Sequence, residues 1–161
     1  MDGLERWSDR LNRWVEGSLF LLGATMAAVV ALQVFFRYAL NHSLFWSEEL
    51  ARYLLVWLTF LGATVAYRRR ANPGIDALYL RLPRLPRKAA ALVVHLASLV
   101  LFGVMVVHGA RFAHFVRMQV SPALGLPKWI PHAVVPLSGL ILAFHALAFL
   151  VRELAERPDD R

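Results

Sequence analysis

Four long apolar runs, separated by short polar connections, constrain this 161-residue chain more than any other feature. They occupy about residues 17–36, 47–67, 89–110 and 132–151. A helix needs roughly 20 mostly apolar residues to cross the hydrocarbon core of a bilayer. From residue 50 onward Arg52 is the one charged residue in the second run, and the other three contain none. Inside lipid every backbone N–H and C=O has to pair within the chain, which for continuous apolar runs leaves helices. The predicted fold is an all-α integral membrane protein, one domain over residues 1–161 with four transmembrane helices. Composition agrees, with 58% of residues hydrophobic and 18% charged, against about 45–50% and about 25% in soluble domains.

The net charge of +7 is compatible with nucleic acid as a partner until the charges are placed. They flank the apolar runs and form no basic face or stripe, so membrane topology explains them and a nucleic-acid partner is not expected. With the amino-terminal segment, the middle loop and the tail on one side, thirteen Lys and Arg residues lie there and five on the other. The positive-inside rule then predicts both termini in the cytoplasm, a multi-pass protein of a bacterial inner membrane, and the segment around Glu48 and Glu49 outside. There is no cysteine, which excludes disulfides, thiolate metal sites, cysteine nucleophiles and an acylated lipoprotein cysteine.

Two amphipathic interfacial helices are expected against membrane lipid. In residues 2–16, Leu4, Trp7, Leu11, Trp14 and Val15 share a helical stripe with charges opposite, and Trp7 and Trp14 serve as interfacial anchors. In the cytoplasmic loop 68–88, Ile75, Leu78, Tyr79 and Leu82 repeat the spacing after the breaker Asn72-Pro73-Gly74. The first apolar run exceeds the roughly 7–15 residues of a signal-peptide core, so it is expected to be an uncleaved anchor.

Two carboxylates and two guanidiniums stand at the mouth of the second apolar run, between residues 37 and 52. Ser47 is predicted to be a helix N-cap, placing Glu48 and Glu49 in the first turn where the helix dipole favours carboxylates. Glu48 and Arg52, four apart with the acid first, suit a helical ion pair. Trp46 and Tyr53 suit the membrane–water boundary. Arg37, at the end of the first run, and the glutamate facing away from Arg52 remain for locking two helices together or meeting a partner. As a catalytic pair the glutamates are poorly placed, because neighbours on a helix point about 100° apart.

His95 and His108 lie on the third run and His132 and His145 on the fourth. Antiparallel packing would bring them to matching depths, as in a two-haem membrane cytochrome. Thirteen residues leave the two histidines of one helix about 140° apart, which disfavours that arrangement. Phosphate loops, serine elbows and zinc-protease motifs are absent, so neither enzyme activity nor a catalytic, metal or cofactor site is expected. Gln33, Thr59, Thr64 and Ser98 read as helix–helix hydrogen bonds, and Gly23/Ala27, Gly62/Ala66 and Gly139/Ala143 as close helix contacts. Self-sufficient secondary transporters tend to carry internal repeats with broken helices at the midplane, a pattern not seen here. A small homodimeric exporter is the remaining transport alternative, and a haem-binding electron carrier the other competitor.

The ordered motifs F-x-R-Y at the end of the first run (Phe35, Arg37, Tyr38), W-S-E-E-L-A-R-Y at 46–53, and V-W-x-x-F-L-G-A at 56–63 continue into Asp76. They end in S-P-A-L-x-x-P-x-W-x-P at 121–131, with Pro122, Pro127 and Trp129, and V-P-L at 135–137. Over about residues 15–152 the chain resembles the small membrane subunit (DctQ type) of tripartite ATP-independent periplasmic, or TRAP, transporters. It departs where that family often has G-x-H-I-x-V-D, since Asn72 and Pro73 replace the histidine and its aliphatic neighbour. The resemblance implies an accessory scaffold in ion-gradient-driven uptake of organic acids such as carboxylates. It also implies two partners, a large membrane subunit that carries substrate and a periplasmic substrate-binding protein. Arg37, Trp46, Glu48, Glu49, Arg52, Trp57, Asp76, Pro122, Pro127 and Trp129 are then interface or structural candidates. Asp76 is assigned to the cytoplasmic turn, capping a helix or pairing with an arginine of residues 68–70.

Overall fold

A computed structural model describes residues 2–69 and 84–155. Their helices are α1 (Asp2–Ala39), α2 (Phe45–Arg68), α3 (Arg84–Phe115), the short α4 (Trp129–His132) and α5 (Val134–Ala155). Four stretches are long and apolar enough to cross a membrane: Arg6–Ala39, Phe45–Arg68, Leu92–Phe115 and Trp129–Val151. Each contains the core of one apolar run. The fourth spans α4 and α5, which are coupled at Ala133. Its N–H donates to Trp129 O, and its carbonyl accepts from Leu137 N–H.

The helices form an open layer. Packing runs from α1 to α2, from α2 to α5 and from α5 to α3, so that α5 is the central helix. Among the described residues α3 meets α2 mainly where Tyr67 sets its ring edge-on against Phe102, 5.3 Å between centroids. One core cluster joins α1, α2 and α5 through Val15, Leu61, Val65, Val134 and Ile141. A second joins α3 and α5 through Phe102, Leu142 and Ala146. Contacts of α1 with the far ends of α2 and α5 make neighbouring helices antiparallel, so Asp2 and Ala155 lie at the same end.

Close helix approach is decided by two glycines. A Cβ on Gly139 would stand 3.0 Å from Val106 Cγ2 and 3.2 Å from the Phe102 carbonyl. Gly109 is equally tight against Val135 and Pro136, and was not among the pairs read from spacing. Gly62 has nothing within 4 Å and Gly23 has only Leu58 Cδ2 at 3.9 Å, so those two do not make such contacts. Thr59 and Thr64 hydroxyls donate to carbonyls of their own helix, Leu55 and Leu61, and not across helices. A hydroxyl that finds a carbonyl one turn back needs no neighbour.

The expected amino-terminal element is not separate, because α1 runs without a break from Asp2 to Ala39. Its anticipated stripe also divides. Val15 is buried and Leu11 half-buried against the bundle core, whereas Trp7 and Trp14 stay 66% and 79% exposed. The packed face includes Ser8 and Asn12, both buried. The amphipathic stretch at Ile75, Leu78, Tyr79 and Leu82 lies outside the described residues, as does Asp76.

Candidate functional site

Glu49 organises the loop end. It lies in the second turn of α2, and its Oε1 accepts a 2.6 Å hydrogen bond from the Tyr53 hydroxyl one turn on. Its Oε2 accepts from the backbone N–H groups of Ala123 at 2.9 Å and Leu124 at 3.1 Å. Two adjacent backbone donors turned to one carboxylate make a small anion nest. The carboxylate thus ties α2 to a loop some seventy residues away.

The sequence explains why residues 119–128 fold into such a receptor. Pro122 presets the backbone for a turn, and Gly125 takes a positive φ of 66°, which costs glycine little. Gly125 N–H donates to the Ser121 carbonyl, while Ser121 N–H donates to the Leu126 carbonyl at 2.8 Å. The Ser121 hydroxyl, buried beneath, accepts from Leu126 N–H at 3.3 Å. Pro127 closes the loop, pairing with Val120 as an isolated bridge, and Lys128 N–H donates to the Gln119 carbonyl. Met118, Val120, Leu126 and Trp129 are left exposed on the rim.

Around this tie, Glu48 pairs with Arg52 as expected, but loosely, at 3.5 Å with both side chains about 70% exposed. Ser47 is not the N-cap. The helix begins earlier, after Leu44, and the buried Ser47 hydroxyl donates back to the Leu44 carbonyl at 2.7 Å. Phe45 and Trp46 can enter the first turn because Leu44 already has extended geometry. Arg37 ends α1 exposed, with neither glutamate as a partner among the described residues. Trp57 lies a few turns away, packed against the core. Pro122 is exposed, and Trp46 and Trp129 are 37% and 46% exposed.

A second cluster sits at the terminal end. Arg68 Nη2 lies 2.7 Å from Asp9 Oδ1, and Arg69 Nη2 lies 2.7 Å from Glu16 Oε1. The Arg68 guanidinium also covers the Phe149 ring at 5.2 Å. Ser8 and His145, both fully buried, are hydrogen-bonded at 2.7 Å. Arg68 and Arg69 therefore have carboxylate partners on α1.

The contacts of the four histidines are with other residue types. His145 bonds Ser8 on α1, and His95 stacks near Phe149 at 6.2 Å. His108 Nδ1 lies 3.3 Å from its own helix's Val104 carbonyl, and His132 lies 2.6 Å from the Lys128 carbonyl with its ring against Phe112. The Nε2 of His145 is buried without a hydrogen-bond partner among the described residues.

Comparison with known proteins follows the same lines. The family described as tripartite ATP-independent periplasmic transporters, DctQ component, matches residues 26–156. The ectoine TRAP transporter small permease protein of Halomonas elongata is 33% identical over 156 residues, covering 92% of this chain and 79% of that protein. The sialic acid TRAP transporter small permease protein of Vibrio cholerae is 30% identical over 127 residues, 78% of this chain and 73% of its own length. The sialic acid TRAP transporter permease protein of Haemophilus influenzae is 31% identical over 86% of this chain but only 22% of its own length.

Proposed function

This chain belongs to the DctQ component family of tripartite ATP-independent periplasmic transporters, and from that premise we propose that it is a stationary brace and docking element. Membership makes it a multi-pass small permease subunit of a binding-protein-dependent transporter in a bacterial inner membrane. In the finer reading it packs beside a large membrane subunit that moves solute and coupling ion. Its Glu49-tied loop forms part of the surface on which a periplasmic binding protein docks. The matched permease of which this chain covers 22% supports such a pairing, since there a similar segment stands within a far longer polypeptide. An organic acid as cargo is supported by the sialic acid relatives. The excess of Lys and Arg at the terminal end supports cytoplasmic termini, which turns Glu49 and residues 119–128 to the periplasm.

The observation that carries the docking reading is the carboxylate tie from Glu49 to Ala123 and Leu124. A loop ordered in advance loses less conformational freedom when a partner binds. In this reading Arg37, Trp46, Glu48, Arg52 and Trp129 contribute to the same surface with Pro122 and Pro127 of the loop, and Trp57 backs α2 toward the core. Asp76 keeps its proposed place at the cytoplasmic turn.

The test replaces Glu48 and Glu49 together by Gln in the complex of both membrane subunits, with uptake measured in proteoliposomes supplied with the binding protein. The double variant should insert normally, while uptake or co-purification of the partners falls. Uptake and co-purification both unchanged overturn the docking role. Solute flux through vesicles containing this chain alone overturns the brace.

A further inference from the structure

The terminal half of α1 has two faces with different occupants. On one, Ser8, Asn12 and Val15 are buried, and Asp9 and Glu16 hold Arg68 and Arg69. At about 100° per residue, Arg10, Arg13, Trp14, Gly17, Ser18 and Leu21 fall together on the opposite face. These six line an open groove of about 620 Å³. Both acidic residues among 6–21 are engaged by α2, so the groove keeps a surplus of positive charge. Arg10 lies over the Trp7 ring at 5.7 Å, and neither Arg10 nor Arg13 has a carboxylate partner among the described residues.

The groove is amphiphilic along its length. Two guanidiniums stand at its polar end and Leu21, 68% exposed, at the other, with Trp14 between them. From Arg13, just outside the apolar run of residues 17–36, to Leu21 within it the helix rises about 12 Å, which carries this face from headgroup level into the hydrocarbon. Gly17 leaves the helix backbone uncovered midway, where a Cβ would stand in open space.

We propose that this groove holds one anionic phospholipid, its phosphate between Arg10 and Arg13 and an acyl chain along Gly17 and Leu21. Charge complementarity selects the occupant, because a neutral apolar helix would leave both guanidiniums without a counter-charge where water is scarce. The site does not depend on the transporter reading. It would fix the height of α1 in the bilayer by a bound headgroup in addition to its tryptophans.

The test reconstitutes the full chain in phosphatidylcholine vesicles carrying a small fraction of brominated phosphatidylglycerol. Quenching of Trp14 is isolated by difference from Trp14→Phe. Brominated phosphatidylglycerol should quench at least about fivefold more per mole fraction than brominated phosphatidylcholine, since one basic contact alone gives that order and the site has two. Arg10→Gln with Arg13→Gln should abolish that preference. Gly17→Leu, which covers the bare backbone in open space, should reduce quenching while leaving the fold intact by circular dichroism. Equal quenching by the two lipids in the unaltered chain overturns the site. So does a Trp14 shielded from both lipids in protein purified with its membrane partner, which would mean that a helix covers the groove.

Discussion

At the loop end one carboxylate, Glu49, gathers a tyrosine hydroxyl and two backbone N–H groups, whereas at the terminal end two carboxylates, Asp9 and Glu16, each meet a guanidinium. The first arrangement reads backbone shape. It is satisfied only if residues 121–125 turn so that successive N–H groups converge, whatever side chains Ala123 and Leu124 carry. The second arrangement reads helix position. Two flexible arginines reach acids on α1, and a shift of an ångström can be absorbed by their side chains. The comparison teaches that the loop end is specified geometrically, while the terminal end is specified by charge with slack. A docking surface benefits from the former, and a seam between helices tolerates the latter.

The largest expected effect tests the loop end. Glu49→Gln keeps the side chain's size but weakens acceptance from three donors, so amide exchange at residues 123 and 124 should quicken roughly tenfold, with little change in the helices. Hydrogen exchange read by mass spectrometry checks this, and unaltered protection would show that Pro122 and Gly125 hold the loop unaided. A smaller effect belongs to the terminal end. A double-mutant cycle on Asp9→Asn and Arg68→Gln, followed by unfolding in detergent, should give a coupling of about 0.5–1 kcal/mol. The Arg69–Glu16 pair, more exposed on its arginine, should lose coupling faster as salt is raised. A coupling there that ignores salt would erase the proposed slack. The least effect is expected at Glu48→Gln, below about 0.5 kcal/mol in the same assay, because its ion pair with Arg52 is a solvent-exposed helical pair.

Several features were legible in residue patterns because their causes are local. The four spans follow from apolar length, and the Glu48–Arg52 pair follows from spacing within one helix. Ser47 misled because its residue type suits a cap, yet the extended backbone at Leu44 lets the helix start earlier and turns the serine inward. The tie from Glu49 joins residues 74 apart in sequence, and Ser8 meets His145 across 137. A faint signal did exist for the former. Glu49 and Tyr53 share a helical face, and the Ser-Pro-Ala-Leu-Gly stretch marks a tight turn rich in free N–H groups. Nothing local indicated that one would find the other.

By itself the sequence determined that this chain is a four-span helical membrane protein with its charges gathered at the ends, because hydrophobic length and backbone pairing in lipid act residue by residue. Only the tertiary structure decided that α5 lies at the centre of an open layer, that Gly109 joins Gly139 at its closest approach to α3, and that Glu49 and not Arg37 anchors the loop. Those outcomes depend on which helix faces meet. Among largely apolar surfaces, side-chain volume and a few polar contacts make that choice, and neither is visible in a linear pattern.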